Sequence, residues 1–203
     1  MSDNHHTLSV RPLESSDCEE VARIHKNAFI GFFLTELGAG FLKHYYTGIV
    51  ELQQIGLVIG EENKIGGFVV GIDNNSRFYK NLFRTFWPRF ISSLAFEIIR
   101  RPSLLISITE RLRVKFRDKN AEEPRSITLT SIAVEPSGRI SGAGRILLHS
   151  FLRVCKRRGY NVVVLETDAE KNEAVRSFYE RNGFTDEGTY KAMNDRVMAQ
   201  YRM

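Results

Sequence analysis

The chain has 203 residues, of which 42% are hydrophobic and 26% are charged, as in an ordinary globular protein. This length suffices for one domain with a substantial core that needs no disulfide or metal to hold it together. The formal net charge is +5, and between residues 76 and 120 eleven lysines and arginines outnumber three acids. Such a segment indicates either a surface that meets an anionic partner or a solvated helix face.

Several classes of protein are disfavoured by the same composition. The two cysteines, Cys18 and Cys155, lie in predicted helices without metal-ligand spacing, so we expect buried thiols in a reducing compartment and no metal. The first residues lack the basic and apolar stretches of a secretory signal. The longest apolar stretch, residues 91–108, is interrupted by Arg-Arg-Pro and is not expected to span a membrane. We therefore expect a cytoplasmic protein.

The first half of the chain is predicted to form a strand, two helices and a β-hairpin. These elements are a strand at 7–13, a helix that begins near residues 15–17, a helix at 35–52, and strands at 57–61 and 65–73. The basic segment is predicted to form about three short helices, because the residues before Pro88 and Pro102 are disfavoured in a helix. Its aromatic residues recur at helical spacing, which predicts that they are buried and disfavours nucleic acid binding.

The second half is predicted to alternate strands and helices. The predicted elements are a strand at 126–134, a helix at 144–158, a strand at 160–167, a helix at 172–181, and strands at 184–190 and 197–203. The strand at 160–167 is almost continuously apolar, which predicts a buried central position in the sheet. No internal repeat is present in the sequence.

Residues 131–148 are typical of a phosphate-binding loop. A strand is followed by Arg139, Gly142 and Gly144, and a helix begins at once. Glycines allow close approach of the backbone, and a helix N-terminus presents unpaired N–H groups to a pyrophosphate. A P-loop is excluded because Gly-Lys-Ser/Thr is absent. A dinucleotide fold is disfavoured because Leu147 occupies the third small position and no βαβ series precedes the loop. An alternative interpretation is that the glycines form a turn that only lets the helix pack closely, without a bound phosphate.

Two motifs resemble those of the GNAT acetyltransferase superfamily. The pattern Arg-x-x-Gly-x-Gly at residues 139–144, after an Ile-Ala-Val-x-Pro strand, resembles its acyl-CoA loop, and residues 172–184 resemble its second motif, Asn-x-x-Ala, then Tyr, then Gly-Phe. The resemblance implies a single α/β (α+β) domain over residues 1–203 with the GNAT fold. In that fold a mixed central sheet, flanked by helices, is splayed between its fourth and fifth strands. Residues 76–120 would be an extra helical insertion.

The resemblance also implies a binding site for acetyl-CoA or another acyl-CoA, without a metal. The pantetheine arm is expected to enter the splayed gap and pair with the fourth strand, and the pyrophosphate is expected to lie on the glycine loop. The residues expected to bind the acyl-CoA are Ile132, Ala133, Val134, Arg139, Ser141, Gly142, Ala143, Gly144, Arg145 and Asn172.

Two residues are predicted to be catalytic. Tyr179 matches the position that the resemblance assigns to the proton donor for the leaving thiolate; a core tyrosine is the alternative. Glu166, a carboxylate in an apolar strand, is the candidate base, and a strand-end acid paired with an arginine is its alternative. The connection at residues 167–171 is one residue longer than the commonest family spacing, which bears on the placement of Glu166. Further candidates are Glu135, expected in an exposed turn, together with His25, His44 and Glu36, or a chain of waters.

The expected reaction is transfer of an acetyl or other short acyl group to a primary amine. The leading hypothesis for the acceptor is a small anionic amine, an amino sugar on a nucleoside diphosphate, whose phosphates would meet Arg77, Lys80, Arg84 or Arg89. A protein N-terminus or lysine is the alternative. A catalytically silent module that binds CoA or a membrane is an alternative of another class. The segment at 76–120 is also a candidate for peripheral membrane contact or a homodimer interface.

Overall fold

A computed structural model describes residues 8–61, 64–100, 125–136, 141–192 and 196–203. Of the predicted features, Arg139 and residues 101–120 of the basic segment lie outside the described residues.

Seven strands form one mixed sheet in the order β1-β2-β3-β4-β5-β7-β6. The strands are β1 (Leu8–Pro12), β2 (Ile55–Glu61), β3 (Lys64–Ile72), β4 (Ser126–Val134), β5 (Val162–Asp168), β6 (Thr185–Lys191) and β7 (Val197–Arg202). Neighbours β4 and β5 are parallel, and the other neighbours are antiparallel. The predicted mixed α/β fold is therefore confirmed. We call the end of the sheet where β4 and β5 finish its upper end.

Helices cover both faces of this sheet. They are α1 (Cys18–Ala28), α2 (Phe33–Glu36), α3 (Gly38–Glu51), α4 (Asn75–Arg100), α5 (Ala143–Arg157) and α6 (Glu173–Arg181). Side chains of α1, α3 and α4 share one hydrophobic core on one face, whereas α5 and α6 contribute to a second core on the other. No helix within the described residues is both long and apolar enough to cross a bilayer.

The sheet is splayed between β4 and β5. Their pairing covers only Ser126–Leu129 against Val162–Leu165, although both strands continue beyond it. The register between β3 and β4 shifts at the same level, where Thr130 is skipped. A bulge of this kind bends and twists a strand, and here it turns the upper half of β4 away from β5. The result is a gap between the upper halves of the two strands.

The helix predicted at residues 35–52 is divided into α2 and α3. Gly38 has a φ of 90°, a left-handed conformation that glycine adopts without strain, and it begins α3 in a new direction. Glycines of α3 also let α4 approach closely, since a Cβ at Gly48 would lie 2.1 Å from Leu82 Cδ1. These glycines therefore serve helix packing, which the sequence pattern did not indicate.

The predicted helix break at Trp87-Pro88 is wrong, because α4 is one helix of 26 residues that continues through Pro88. A proline within a helix leaves the carbonyl four residues earlier without its donor. Here that residue is Arg84, which is exposed, so water can take the donor's place. Phe86 and Phe90, at 0% and 2% exposure, anchor the helix to the core on either side of the proline.

The direction of α4 matters for function. It begins near the lower half of β4, where Asn75 Nδ2 donates to Thr128 Oγ1 at 3.3 Å. Its last turns lie beside the start of α3, since a Cβ at Gly38 would be 2.9 Å from Glu97 Cγ. The helix therefore runs from the lower to the upper end of the sheet, and at about 1.5 Å per residue it spans most of the molecule.

Candidate active site

Backbone groups of β4 line one side of the gap. The N–H of Glu135 donates to Gly66 O at 2.8 Å, so it points towards β3. Because N–H and C=O directions alternate along a strand, those of Ile132 and Val134 point into the gap, and those of Ala133 point towards β3. Two of the three predicted β4 residues thus offer backbone hydrogen-bonding groups to a ligand in the gap.

The first turn of α5 follows the upper end of β4. Gly142 precedes the helix with a φ of 76°, and no side chain among the described residues caps it. The first bond of the helix runs from the Ile146 N–H to Gly142 O at 3.1 Å. The N–H groups of Ala143, Gly144 and Arg145 therefore have no intrahelical acceptor and form a site suited to an anion.

The glycines of the loop are not explained by close helix packing. Among the described residues, a Cβ at Gly142 would meet no atom within 4 Å, and one at Gly144 would come no closer than 3.9 Å, to Phe178. Gly142 instead satisfies a positive φ, which side-chain-bearing residues rarely adopt. Gly144 leaves space beside Phe178 and Val134. The space above the first turn of α5 is therefore open to a ligand.

Tyr179 lies on α6 with its ring in the core that α5 and α6 share with the sheet. It is 6% exposed, and its ring centroid is 5.6 Å from Phe184 and 6.0 Å from Tyr201. Burial raises the pKa of its phenol further above neutral, so the hydroxyl carries its proton at physiological pH as an ordinary tyrosine does. No side chain in the described part of the chain hydrogen-bonds this hydroxyl. A buried phenol that keeps its proton and has no protein partner can donate to a ligand.

The remaining predicted ligand residues lie at two turns, the one that begins α5 and the one that begins α6. The Asn172 side-chain amide donates to Thr167 Oγ1 at 2.8 Å and to Asp168 O at 3.1 Å, which fixes the turn from β5 to α6. Ser141 and Arg145 are exposed on either side of Gly142. Asn172 stays a predicted ligand residue despite this structural role. Its side-chain oxygen accepts no hydrogen bond among the described residues, so it could still contact the acyl-CoA.

Glu166 is exposed on β5, at the level where β4 and β5 have separated. Within the described residues it forms no ion pair, so these residues give no support to the alternative of a strand-end acid paired with an arginine. Its neighbour Asp168 has that role, because both of its oxygens lie 2.6 Å from Arg196. Glu166 therefore offers a carboxylate beside the gap that no described residue pairs with.

The expectation that Glu135 lies in an exposed turn is wrong. Its side chain is 11% exposed and forms an ion pair with Arg23 of α1 at 2.5 Å. Arg23 also pairs with Glu20 at 2.8 Å. The Glu135 carboxylate is therefore neutralised and serves to join α1 to the upper end of β4.

One contact that closes the upper end of the site was not predicted. The guanidinium of Arg196, just before β7, lies 4.4 Å from the ring centroid of Phe32, between α1 and α2. Together with its pair to Asp168, this cation–π contact joins the α1–α2 connection to the ends of β5 and β7. Residues far apart in sequence form this arrangement, so no local pattern indicated it.

His25 is a buried histidine on the α1 side of β4. Its Nδ1 lies 2.6 Å from the Tyr46 hydroxyl, which also contacts Ser131 of β4. Its Nε2 is buried without a hydrogen-bond partner among the described residues, and the residue is 3% exposed. Burial lowers the pKa of His25 to about 4. The imidazole is therefore neutral in the folded protein at physiological pH.

This buried histidine predicts a pH-dependent stability. The unfolded chain protonates His25 below about pH 6.5, whereas the folded protein resists protonation until about pH 4. Between these values the unfolded state binds more protons, so the free energy of unfolding falls as the pH falls, by about 3 kcal/mol in all. Urea unfolding of the wild type and of His25→Asn between pH 7 and 4 measures this loss, which the variant should lack. The exposed His149→Asn is the control and should keep it. Equal pH dependence in wild type and His25→Asn would contradict the assignment.

Comparison with known proteins agrees with this geometry. Residues 106–184 match the family model described as the acetyltransferase (GNAT) family. No curated protein matches the chain in sequence.

Solved structures share the fold over nearly the whole chain. A GNAT-family acetyltransferase from Desulfovibrio desulfuricans is 20% identical, with a TM-score of 0.64 and coverage of 97% of this chain and 98% of that one. An acetyltransferase from Salmonella typhimurium, solved with its cofactor acetyl-CoA, is 15% identical, with a TM-score of 0.62 and coverage of 97% and 93%. The ribosomal-protein-S18-alanine N-acetyltransferase from Escherichia coli is 15% identical, with a TM-score of 0.59 and the same coverage.

The splayed β4–β5 gap, the uncapped helix that follows β4 and the match over residues 106–184 agree with one another. Residues 106–184 are therefore similar to the GNAT acetyltransferase family, whose members use an acyl-CoA to acylate an amine, and the described fold is the one that solved GNAT acetyltransferases share.

Proposed function

We propose that the gap between β4 and β5 binds the pantetheine arm of an acyl-CoA and that the chain transfers the acyl group to a primary amine. The observation that carries this proposal is the backbone edge of Ile132 and Val134, which pairs with no described strand. It leads to the N–H groups of Ala143, Gly144 and Arg145, which have no acceptor among the described residues. An extended amide-bearing arm suits the strand edge, and a pyrophosphate suits the helix N-terminus. The proposal treats residues 1–203 as one catalytic domain.

The acyl-CoA supplies an activated thioester, and the protein supplies binding and proton transfer. Tyr179 is the proposed donor of a proton to the leaving thiolate, a role supported by its hydroxyl, which has no side-chain hydrogen-bond partner among the described residues. Glu166 is the proposed base that takes the proton of the amine, directly or through water. Its exposure and its position beside the gap support this role, whereas the Glu135 carboxylate is already held by Arg23.

The proposed acceptor is a small anionic amine, with an amino sugar on a nucleoside diphosphate as the leading candidate. The direction of α4 weakens the case that its cations bind the diphosphate of this acceptor. Arg77, Lys80 and Arg84 lie in the lower half of the helix, away from the gap. Of the four cations named for this role, only Arg89 lies in the upper half. Six further cations occur at residues 101–120, which follow the upper end of α4 in the sequence.

An acceptor assay with acetyl-CoA tests this choice. We expect kcat/KM for a nucleotide-linked amino sugar to exceed that for the same free amino sugar by at least about tenfold, because a diphosphate adds charge-assisted hydrogen bonds. The free sugar is the matched control, since it carries the same amine. Turnover of peptides with none of the nucleotide sugar would overturn the choice of acceptor and leave the acyl-CoA site intact.

Acylation of a protein N-terminus or lysine is the second candidate. It is supported by the structural likeness to the E. coli enzyme that acetylates the alanine of a ribosomal protein. The exposed Ile30 in the α1–α2 connection, at 81% exposure, is an apolar side chain at the upper end that a peptide could contact. Peptide arms of the same assay separate the two candidates. A silent binding module would bind an acyl-CoA and acylate neither acceptor.

A further inference from the structure

The outer face of α4 combines cations and large apolar side chains in one stripe. Its inner face is held in the core by Phe78, Leu82, Phe86 and Phe90, all 3% exposed or less. The outer stripe consists of Arg77, Lys80, Arg84, Trp87, Ile91 and Ile99. The steps between these residues are three, four or eight positions, so they lie along one side of the helix. We call this set the outer stripe.

The apolar part of the outer stripe is unusually exposed. Trp87, Ile91 and Ile99 are 58%, 56% and 79% exposed. They occupy the half of α4 that runs to the upper end of the sheet. Ile30, at 81% exposure in the α1–α2 connection, lies at that same end. Large apolar side chains left in water at one end of a molecule mark an interaction surface.

The cationic part of the outer stripe has no acidic counterpart in the part of the chain that the structure describes. Within the described residues, Arg77, Lys80 and Arg84 form no ion pair with a carboxylate. The one acid of α4, Glu97, lies against Gly38 on the side of the helix that meets α3. The stripe therefore offers unneutralised positive charge below and apolar side chains above, with Trp87 between the two.

We propose that the outer stripe docks on an anionic lipid surface and turns the upper end of the gap towards it. Lipid headgroups neutralise Arg77, Lys80 and Arg84, while the acyl layer accepts Ile91 and Ile99. Trp87 lies where tryptophan is favoured, at the boundary between these two layers. The helix is not long and apolar enough to cross the bilayer, so docking is peripheral.

Other partners match the outer stripe less well. A twofold contact with a second copy would bring the stripe against itself and bury cations without a carboxylate to pair with them. A nucleic acid would neutralise Lys80 and Arg84 but would offer no apolar layer to Ile91 and Ile99. An anionic lipid surface provides for both halves of the stripe.

Vesicle co-sedimentation of the full chain tests this proposal without a measurement of activity. The wild type is expected to sediment with phosphatidylcholine vesicles that contain phosphatidylserine, and not with phosphatidylcholine alone. Raised salt should weaken this binding. The double variant Lys80→Glu/Arg84→Glu should reduce it by at least about tenfold. Lys156→Glu/Arg157→Glu on α5 makes the same change in net charge and should bind as the wild type does.

The apolar half is tested separately by Trp87→Ser/Ile91→Ser, which should also lose binding, with Val175→Ser as the control on an exposed apolar residue of α6. Acyl-CoA calorimetry on each variant shows that the fold is retained.

Absence of binding to the anionic vesicles would overturn the proposal. Equal loss in the α5 charge control, or full binding by Trp87→Ser/Ile91→Ser, would do the same. Dimers in sedimentation equilibrium that Trp87→Ser/Ile91→Ser disrupts, without vesicle binding, would assign the stripe to a second copy. Binding of duplex DNA in place of vesicles would assign it to nucleic acid.

Discussion

Replacing Tyr179 by phenylalanine is expected to lower kcat by about 100- to 1,000-fold, because a positioned proton donor typically contributes that much to a rate. The substitution removes one buried hydroxyl that has no partner among the described residues, so it leaves no other buried group unsatisfied. The ring contacts with Phe184 and Tyr201 are retained. We therefore expect the free energy of unfolding and the Kd for acyl-CoA to stay close to those of the wild type.

Steady-state kinetics with acetyl-CoA, together with calorimetric titration of CoA, separate chemistry from binding in this variant. Tyr160→Phe is the matched control, because it removes a hydroxyl that contacts Asp73 at 3.4 Å near the lower end of the sheet. It should leave kcat unchanged. If Tyr179→Phe retains the wild-type kcat, Tyr179 is a core tyrosine and the proton reaches the thiolate by another route.

Replacing Gly142 by valine is expected to raise the Kd for acyl-CoA by about tenfold to a hundredfold. Gly142 has a φ of 76°, and a β-branched residue there would twist the turn that presents the first N–H groups of α5. Each hydrogen bond from these groups to a charged phosphate contributes about 1.5–3 kcal/mol. Loss of one such bond corresponds to the expected change in Kd.

Gly159→Val provides the control for strain in the backbone. Gly159 follows the same helix with a φ of 82°, and a Cβ there would likewise meet no described atom within 4 Å. Both variants should therefore lose a similar free energy of unfolding, about 1–2 kcal/mol. Calorimetry should show weaker acyl-CoA binding only in Gly142→Val. Unchanged affinity in that variant would remove the pyrophosphate from the first turn of α5.

Local patterns predicted the part of the site that one stretch of chain builds. A strand, a loop with two glycines and a helix are consecutive, so the sequence around Gly142 and Gly144 already indicated a helix N-terminus open to a phosphate. The second motif likewise gave the helix that carries Tyr179. Strand and helix periods depend on nearest neighbours, and most of these elements lie within a few residues of their predicted bounds.

Predictions failed where distant residues decide the outcome. Pro88 was expected to end a helix, but burial of Phe86 and Phe90 against α3 holds the helix through it. The expected phosphate contacts of Arg77 and Lys80 stay a prediction, with less support because α4 begins at the lower end of the sheet, where β3 ends. Glu135 was assigned to an exposed turn without knowledge of Arg23, which neutralises it.

The sequence alone determined the order of elements, the glycine loop and the identity of the chemical groups at the site. Only the tertiary structure decided that β4 and β5 separate beyond Leu129, that Arg196 joins Asp168 to Phe32, and that the outer stripe of α4 faces solvent. The physical reason is that backbone preferences act within a few residues. A gap, an ion pair or an exposed face depends on which parts of the chain pack together.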